Sequence, residues 1–158
     1  MTLEGADARP SADRSVGGLY RAQYQPMVRL AYLLTGNQAT AEDLVQDSFV
    51  QVQRNWDHVR EPVAYLRTTV VNAARAHHRR AGRERARFPD LVTATVAPET
   101  PIVLDALASL PYRQRAALVL KFYEDRPEAE IADALGCRPA TVRSLVHRGL
   151  ATLRKVIT

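Results

Sequence analysis

Apolar residues in this chain recur at steps of three and four, and no segment shows convincing two-residue alternation, so helices are expected and strands are not. Leu19, Tyr20, Tyr24, Met27, Leu30, Ala31 and Leu34 keep that rhythm from Gly18 until Gly36-Asn37, a pair that ends helices. A second stripe follows in Ala41, Leu44, Val45, Ser48, Phe49, Val52 and Trp56. Thr40 reads as its N-cap, with Asp43 three residues on as in a capping box. A third helix is expected from Pro62, a residue suited to the first helical position, with Val63, Leu66, Val70, Ala73 and His77 able to face inward. The rhythm then fails. From residue 81 to about 100, arginines give way to Phe88-Pro89, Pro98 and Pro101, as in a linker. It resumes in Val103, Leu104, Leu107 and Leu110, closed before Pro111, and in Ala116 through Tyr123. A short helix from about Pro127 to Leu135 and a last one from Pro139 to about Val156 complete the chain. The expectation is an all-α protein: a disordered polar tail over 1–15, a helical domain over 16–81, a flexible linker over 82–101 and a second small helical domain over 102–158.

At 158 residues and 46% hydrophobic content, a packed core is within reach and wholesale disorder is not expected. No apolar run approaches the roughly 20 residues of a membrane helix, so no membrane insertion is expected. No signal peptide opens the chain, and a cytoplasmic location is the simplest expectation. One cysteine, Cys137, excludes an internal disulfide and multi-cysteine zinc sites. The net charge of +5 favours a polyanionic partner, and its distribution says more. Between Thr40 and Glu61 stand five acids and two arginines; between Arg75 and Arg87, six arginines, two histidines and one glutamate. From Arg138 onward there are five basic residues and no acid.

The stretch EIADALGCRPATVRSLVHRGL explains that last imbalance. Ala132 is small where two helices would cross, Gly136 permits the left-handed backbone that ends the first, and Pro139 starts the second. Ile131, Ala132 and Leu135 would pack against Val142, Leu145 and Val146, which is a helix-turn-helix. Ala140, Arg143, Ser144, His147, Ala151 and Arg154 line the opposite face, with Thr141 and Arg148 at its edges. Small residues let such a helix approach a major groove, and the polar ones reach base edges and phosphates. A merely solvated face is the competing reading, but surface helices usually mix signs, and this one has no acid.

The first domain offers two further faces. Tyr65, Thr68, Asn72, Arg75 and Arg79 combine an aromatic ring, an amide and arginines, the equipment that holds single-stranded or melting DNA. An ordinary exposed helix face would look the same. Asp43, Gln46 and Asp47 would repel DNA and suit a basic protein surface, although acids near a helix start also arise from the macrodipole. An enzyme is not expected, nor a metal or cofactor. His77 and His78, adjacent on a helix, point about 100° apart, and Cys137 at the turn reads as a small packing residue.

The stretch from LAYLLTGNQATAEDLVQDSFVQVQRNW through VREPVAYLRTTVVNAARAHHRR resembles region 2 of the sigma-70 family, and LASLPYRQRAALVLKFYEDRPEAEIADALGCRPATVRSLVHRGLATLR resembles its region 4. The two-domain layout, without a region 3, is similar to the extracytoplasmic-function (ECF) sigma factors, closest to an actinobacterial SigE-like group. The resemblance covers roughly Gly18 to Lys155. It implies a region 2 helical bundle joined to a region 4 helix-turn-helix. It implies that Asp43, Leu44, Gln46 and Asp47 dock on the clamp helices of the RNA polymerase core, with the flap as a second contact. Asn72 matches a position beside the pocket for a flipped −10 base, and Tyr65 stands where relatives often carry tryptophan. Tyr65, Thr68, Asn72, Arg75, Arg79 and Arg80 would thus serve the −10 element, with Arg79 and Arg80 on its backbone. Thr141, Arg143, Ser144, His147 and Arg148 match the helix that reads the −35 element. Promoter DNA and polymerase core are the implied partners, with an anti-sigma factor often restraining such proteins. No C-terminal regulatory domain is expected after the recognition helix. The competing class is a conventional helix-turn-helix regulator that binds promoter duplex without joining polymerase.

Overall fold

The computed structural model describes residues 15–87 and 102–157. The expected tail, and the linker from residue 88 onward, lie outside the described residues. Seven α-helices and no strand are present among the described residues. They are α1 (Val16–Thr35), α2 (Gln38–Arg54), α3 (Pro62–Arg87), α4 (Ile102–Ala108), α5 (Tyr112–Leu118), α6 (Glu128–Leu135) and α7 (Pro139–Ile157). A 3-10 turn, Trp56–His58, precedes α3.

Helices α1, α2 and α3 pack pairwise into a bundle, and α5 and α6 pack against α7. Ser15 caps α1 by accepting from the Gly18 amide at 2.9 Å. The helix stops at Gly36, whose left-handed φ of 75° lets its amide reach the Tyr32 carbonyl at 2.7 Å. The next residue caps α2. Asn37, not Thr40, is the N-cap: its Oδ1 accepts from the Thr40 amide at 2.9 Å. The left-handed stop throws Asn37 into extended backbone, so the cap falls three residues before the expected one and leaves no loop between the helices.

Two further elements depart from expectation. Helix α3 runs on through Gly82 to Arg87, into residues expected as linker. The segment after α5 is a π-helical turn, Val119–Tyr123, in which the Glu124 amide bonds the Val119 carbonyl at 3.1 Å. The wider turn shifts the phase of the stripe, and Phe122 and Tyr123, in rhythm with it in the sequence, are exposed.

The two helical units share one core. Met27, Leu30 and Leu34 of α1, Val45 and Val52 of α2, and Leu66 and Val70 of α3 join Leu120, Ile131 and Val142 in a single cluster. Three polar links cross the seam between the units. The Tyr112 hydroxyl donates to the Val71 carbonyl at 2.7 Å, Arg115 Nε donates to the Leu33 carbonyl at 2.7 Å, and Arg67 Nε lies 3.0 Å from Glu124 Oε1. Arg115 is only 3% exposed. Its guanidinium rests at the carbonyl end of α1, where the macrodipole is negative, and burial lowers its pKa to about 10, so it stays charged at neutral pH. Its Nη2 has no hydrogen-bond partner.

Candidate nucleic-acid interface

The helix-turn-helix forms as its spacing predicts. Ala132 is buried where α6 meets α7, and Gly136 closes α6 with a left-handed φ of 66°. The Cys137 amide then reaches back to the Ala132 carbonyl at 3.0 Å, and Pro139 opens α7. Val142, Leu145, Val146 and Gly149 form the buried stripe of α7. Gly149 is needed there: a Cβ on it would stand 2.9 Å from Leu118 Cδ1, so α7 crosses at contact distance. On the other face Arg143, Ser144, His147 and Arg148 are exposed and Thr141 is half-buried, so the five expected residues share one accessible surface. The Arg148 Nε donates to the Ser144 carbonyl at 3.4 Å. Arg143 Nη1 donates to Glu128 Oε2 on α6 at 2.8 Å.

In the first unit, Tyr65, Thr68 and Asn72 of α3 line one hollow of about 420 Å³ together with Gln51, Thr69 and Ala76. Its lining mixes a ring, hydroxyls and amides, the groups a displaced base can stack on and pair with. Arg79 and Arg80 are exposed farther along α3. Arg75 does not join the hollow: it is half-buried, and its charge acts on the Tyr112 phenol across the seam. Burial of that phenol raises its pKa well above the usual range for tyrosine. Gln51, from α2, was not among the expected residues, because nothing in its own helix's spacing marks where α2 crosses α3.

The acidic stripe on α2 presents Asp43, Gln46 and Asp47 to solvent. Leu44 does not belong to it. At 8% exposure Leu44 faces the core, as its place in the apolar stripe requires, and the outward neighbours are Glu42 and Val50 instead. Gln46 Nε2 donates to the Tyr20 hydroxyl at 3.3 Å, and the Tyr20 ring stacks on Tyr24 at 4.9 Å and meets Phe49 at 4.9 Å. The acids thus stand beside a partly exposed aromatic ridge.

His77 and His78 are neighbours on α3, and among the described residues no three histidine, cysteine, aspartate or glutamate side chains gather to hold an ion. Both have lowered pKa values, chiefly through burial, with Arg80 adding to the effect on His77 and Arg115, then Arg85, on His78. The His78 ring lies 5.6 Å from Tyr112. Among the described residues no helix is long and apolar enough to cross a membrane. An apolar groove of about 290 Å³ lies on the second unit, walled by Leu107, Phe122 and Leu153 among others, with Leu33 of α1 at its edge.

Residues 19–84 match the family model described as Sigma-70 region 2, and residues 101–153 match Sigma-70, region 4. The RNA polymerase sigma-E factor of Streptomyces avermitilis is 31% identical over 144 residues, covering 85% of this chain and 80% of that protein. The ECF RNA polymerase sigma factor SigE of Mycolicibacterium smegmatis is 36% identical over 162 residues, covering 93% of this chain and 62% of that protein. In fold, the chain is similar to the sigma factor RpoE of Bartonella quintana, solved with the anti-sigma factor NepR. That match has a TM-score of 0.73 at 22% identity, over 87% of this chain and 93% of the other. CnrH, solved with the cytosolic domain of CnrY, gives 0.69 at 23% identity, over 96% and 93%. On these matches, in this order along one chain, the protein belongs to the sigma-70 family and, within it, to the ECF RNA polymerase sigma factors.

Proposed function

We infer that this chain is a sigma factor that binds RNA polymerase core in the cytoplasm and directs promoter-specific transcription initiation. In this reading it recognises −35 and −10 elements and helps to melt the latter. The observation that carries the reading is the coexistence of two separate accessible faces: the acid-free surface of α7 and the Tyr65–Thr68–Asn72 hollow on α3. A duplex-binding regulator has use for the first and none for the second.

Held on one polymerase, two weak readers act on two spaced elements at high effective concentration, so specificity comes from the pair. Thr141, Arg143, Ser144, His147 and Arg148 take the −35 duplex. Tyr65, Thr68 and Asn72 take a displaced −10 base, which offsets part of an unpairing free energy of a few kcal/mol. Arg79 and Arg80 take backbone phosphates, with Arg75 available once the seam parts. Asp43, Gln46 and Asp47 meet the clamp helices, and the second unit meets the flap. The chain itself is no enzyme: nucleotide addition belongs to the polymerase. The apolar groove on the second unit, bordered by Leu33 of α1, suits the apolar face of an anti-sigma helix.

Run-off transcription with bacterial core polymerase on pooled genomic promoter fragments tests the reading. New, defined start sites that require the protein are expected. Binding to promoter duplex by the protein alone, without such transcripts, would favour the conventional regulator. Asp43→Arg with Asp47→Arg should abolish capture of core polymerase in a pull-down, and undiminished capture would remove the docking assignment.

A further inference from the structure

We propose that Glu128 is a specificity-determining positioning residue for promoter recognition: it holds one edge of the Arg143 guanidinium and so sets how that cation meets DNA. The proposal rests on the reading of α7 as the −35 reader.

Glu128 is the first residue of α6, whereas Arg143 lies in the second turn of α7, on its open face. Their contact, Nη1 to Oε2 at 2.8 Å, therefore ties together the two helices of the motif. With side chains 64% and 36% exposed, a pair so open contributes little to folding. Its effect at a DNA surface is larger. A guanidinium carries five donors in a flat fork. Engagement through Nη1 leaves the Nε–Nη2 edge, two parallel donors that match O6 and N7 of guanine. An untethered arginine would instead sweep over nearby phosphates, contacts that carry no sequence information. Tethering also restricts the side chain before DNA arrives, so less freedom is lost on binding.

The carboxylate has a second effect. It repels any phosphate that a shifted or tilted α7 would bring close, which penalises wrong registers more than the right one. The other α6 acids are placed elsewhere. Glu130 lies 3.4 Å from Arg126, and Asp133 faces α3, lining a hollow with Tyr65 and Thr68. Glu128 is the carboxylate that meets the recognition face at Arg143.

The test uses holoenzyme assembled from core polymerase with the native chain, Glu128→Gln or Arg143→Ala. Each selects from a duplex library randomised over the −35 region. Affinity for selected and for unrelated duplex is then followed between about 50 and about 200 mM salt. Glu128→Gln should lower the preference at one base-pair position about tenfold. It should also raise affinity for unrelated duplex about threefold at low salt and steepen the salt dependence by about one phosphate contact. A structural role alone would move none of these. Unchanged base preference and slope in Glu128→Gln, with preference lost in Arg143→Ala, would overturn the proposal and leave the −35 reading intact. An unchanged selected sequence in Arg143→Ala would overturn the −35 reading itself.

Discussion

Arg115 is the residue whose surroundings say most about how the fold balances. It is buried and charged, and it leans on a helix end rather than a carboxylate. Replacing a buried charge by an apolar side chain of similar size is often neutral or stabilising. Arg115→Met should therefore leave stability within about 1 kcal/mol of native in chemical denaturation. A loss beyond about 2 kcal/mol would show that the bond to Leu33 outweighs the desolvation of the guanidinium. At Gly149 the balance goes the other way. A methyl would gain about 1 kcal/mol of helix propensity but press on Leu118. Valine adds two more carbons to the same space, so Gly149→Val should lose about 2 kcal/mol, read as a drop in Tm. The face of α7 was legible in the sequence because spacing within one helix fixes which residues share a side; on α3 the inward stripe was legible only in part, since Val71 and Ala74 are buried where Ala73 and His77 were expected. Gln51 and Glu128 were not legible, since their roles depend on where a second helix crosses. Leu44 stands beside Asp43 in sequence but points the opposite way, into the core, where its apolar stripe places it.

Among the elements, the turn between α6 and α7 depends on backbone conformation more than on contacts. No atom would meet a Cβ on Gly136, yet its φ of 66° disfavours any side chain. Gly136→Ala should cost about 1–2 kcal/mol and reduce duplex binding through the misplacement of α7, measured by denaturation and by electrophoretic shift with holoenzyme. Helix α3 carries a pH dependence. The folded pKa values of His77 and His78 lie below the unfolded 6.5, so the unfolded chain takes up protons first as pH falls. Stability is full above about 6.5 and declines as pH drops below it. His78→Gln should flatten that part of the curve in a Tm-against-pH series, whereas an unaltered slope would put the effect elsewhere. Helix number, order and most ends were readable from apolar rhythm, Gly36, Pro62, Gly136 and Pro139. The rhythm could not reveal the π turn at Val119–Tyr123, because one extra residue per turn is set by packing on α6 and α1 rather than by local preference. It also could not choose between Asn37 and Thr40 as cap, since both side chains are able to do it.

At the scale of the molecule, the seam between the two units is the dominant feature. Arg67 and Glu124 lie across it with side chains only 12% and 14% exposed. Glu124→Lys would set two cations against each other there and should weaken the seam by about 3 kcal/mol. The expected signs are a larger radius of gyration in X-ray scattering and two unfolding transitions in place of one. Scattering and melting curves that match the native chain would mean that the apolar contacts hold the seam alone. Arg115, Tyr112 and Glu124 make their seam bonds to Leu33, Val71 and Arg67, none of which belongs to a proposed DNA face or to the acidic stripe on α2. If polymerase binds only separated units, its apparent affinity is the intrinsic one scaled by the open fraction, and about 3 kcal/mol of closure weakens it roughly 150-fold. A genetic screen for hyperactive alleles should then return seam substitutions rather than changes in either reader. Such alleles would be dominant and would leave promoter choice as it was.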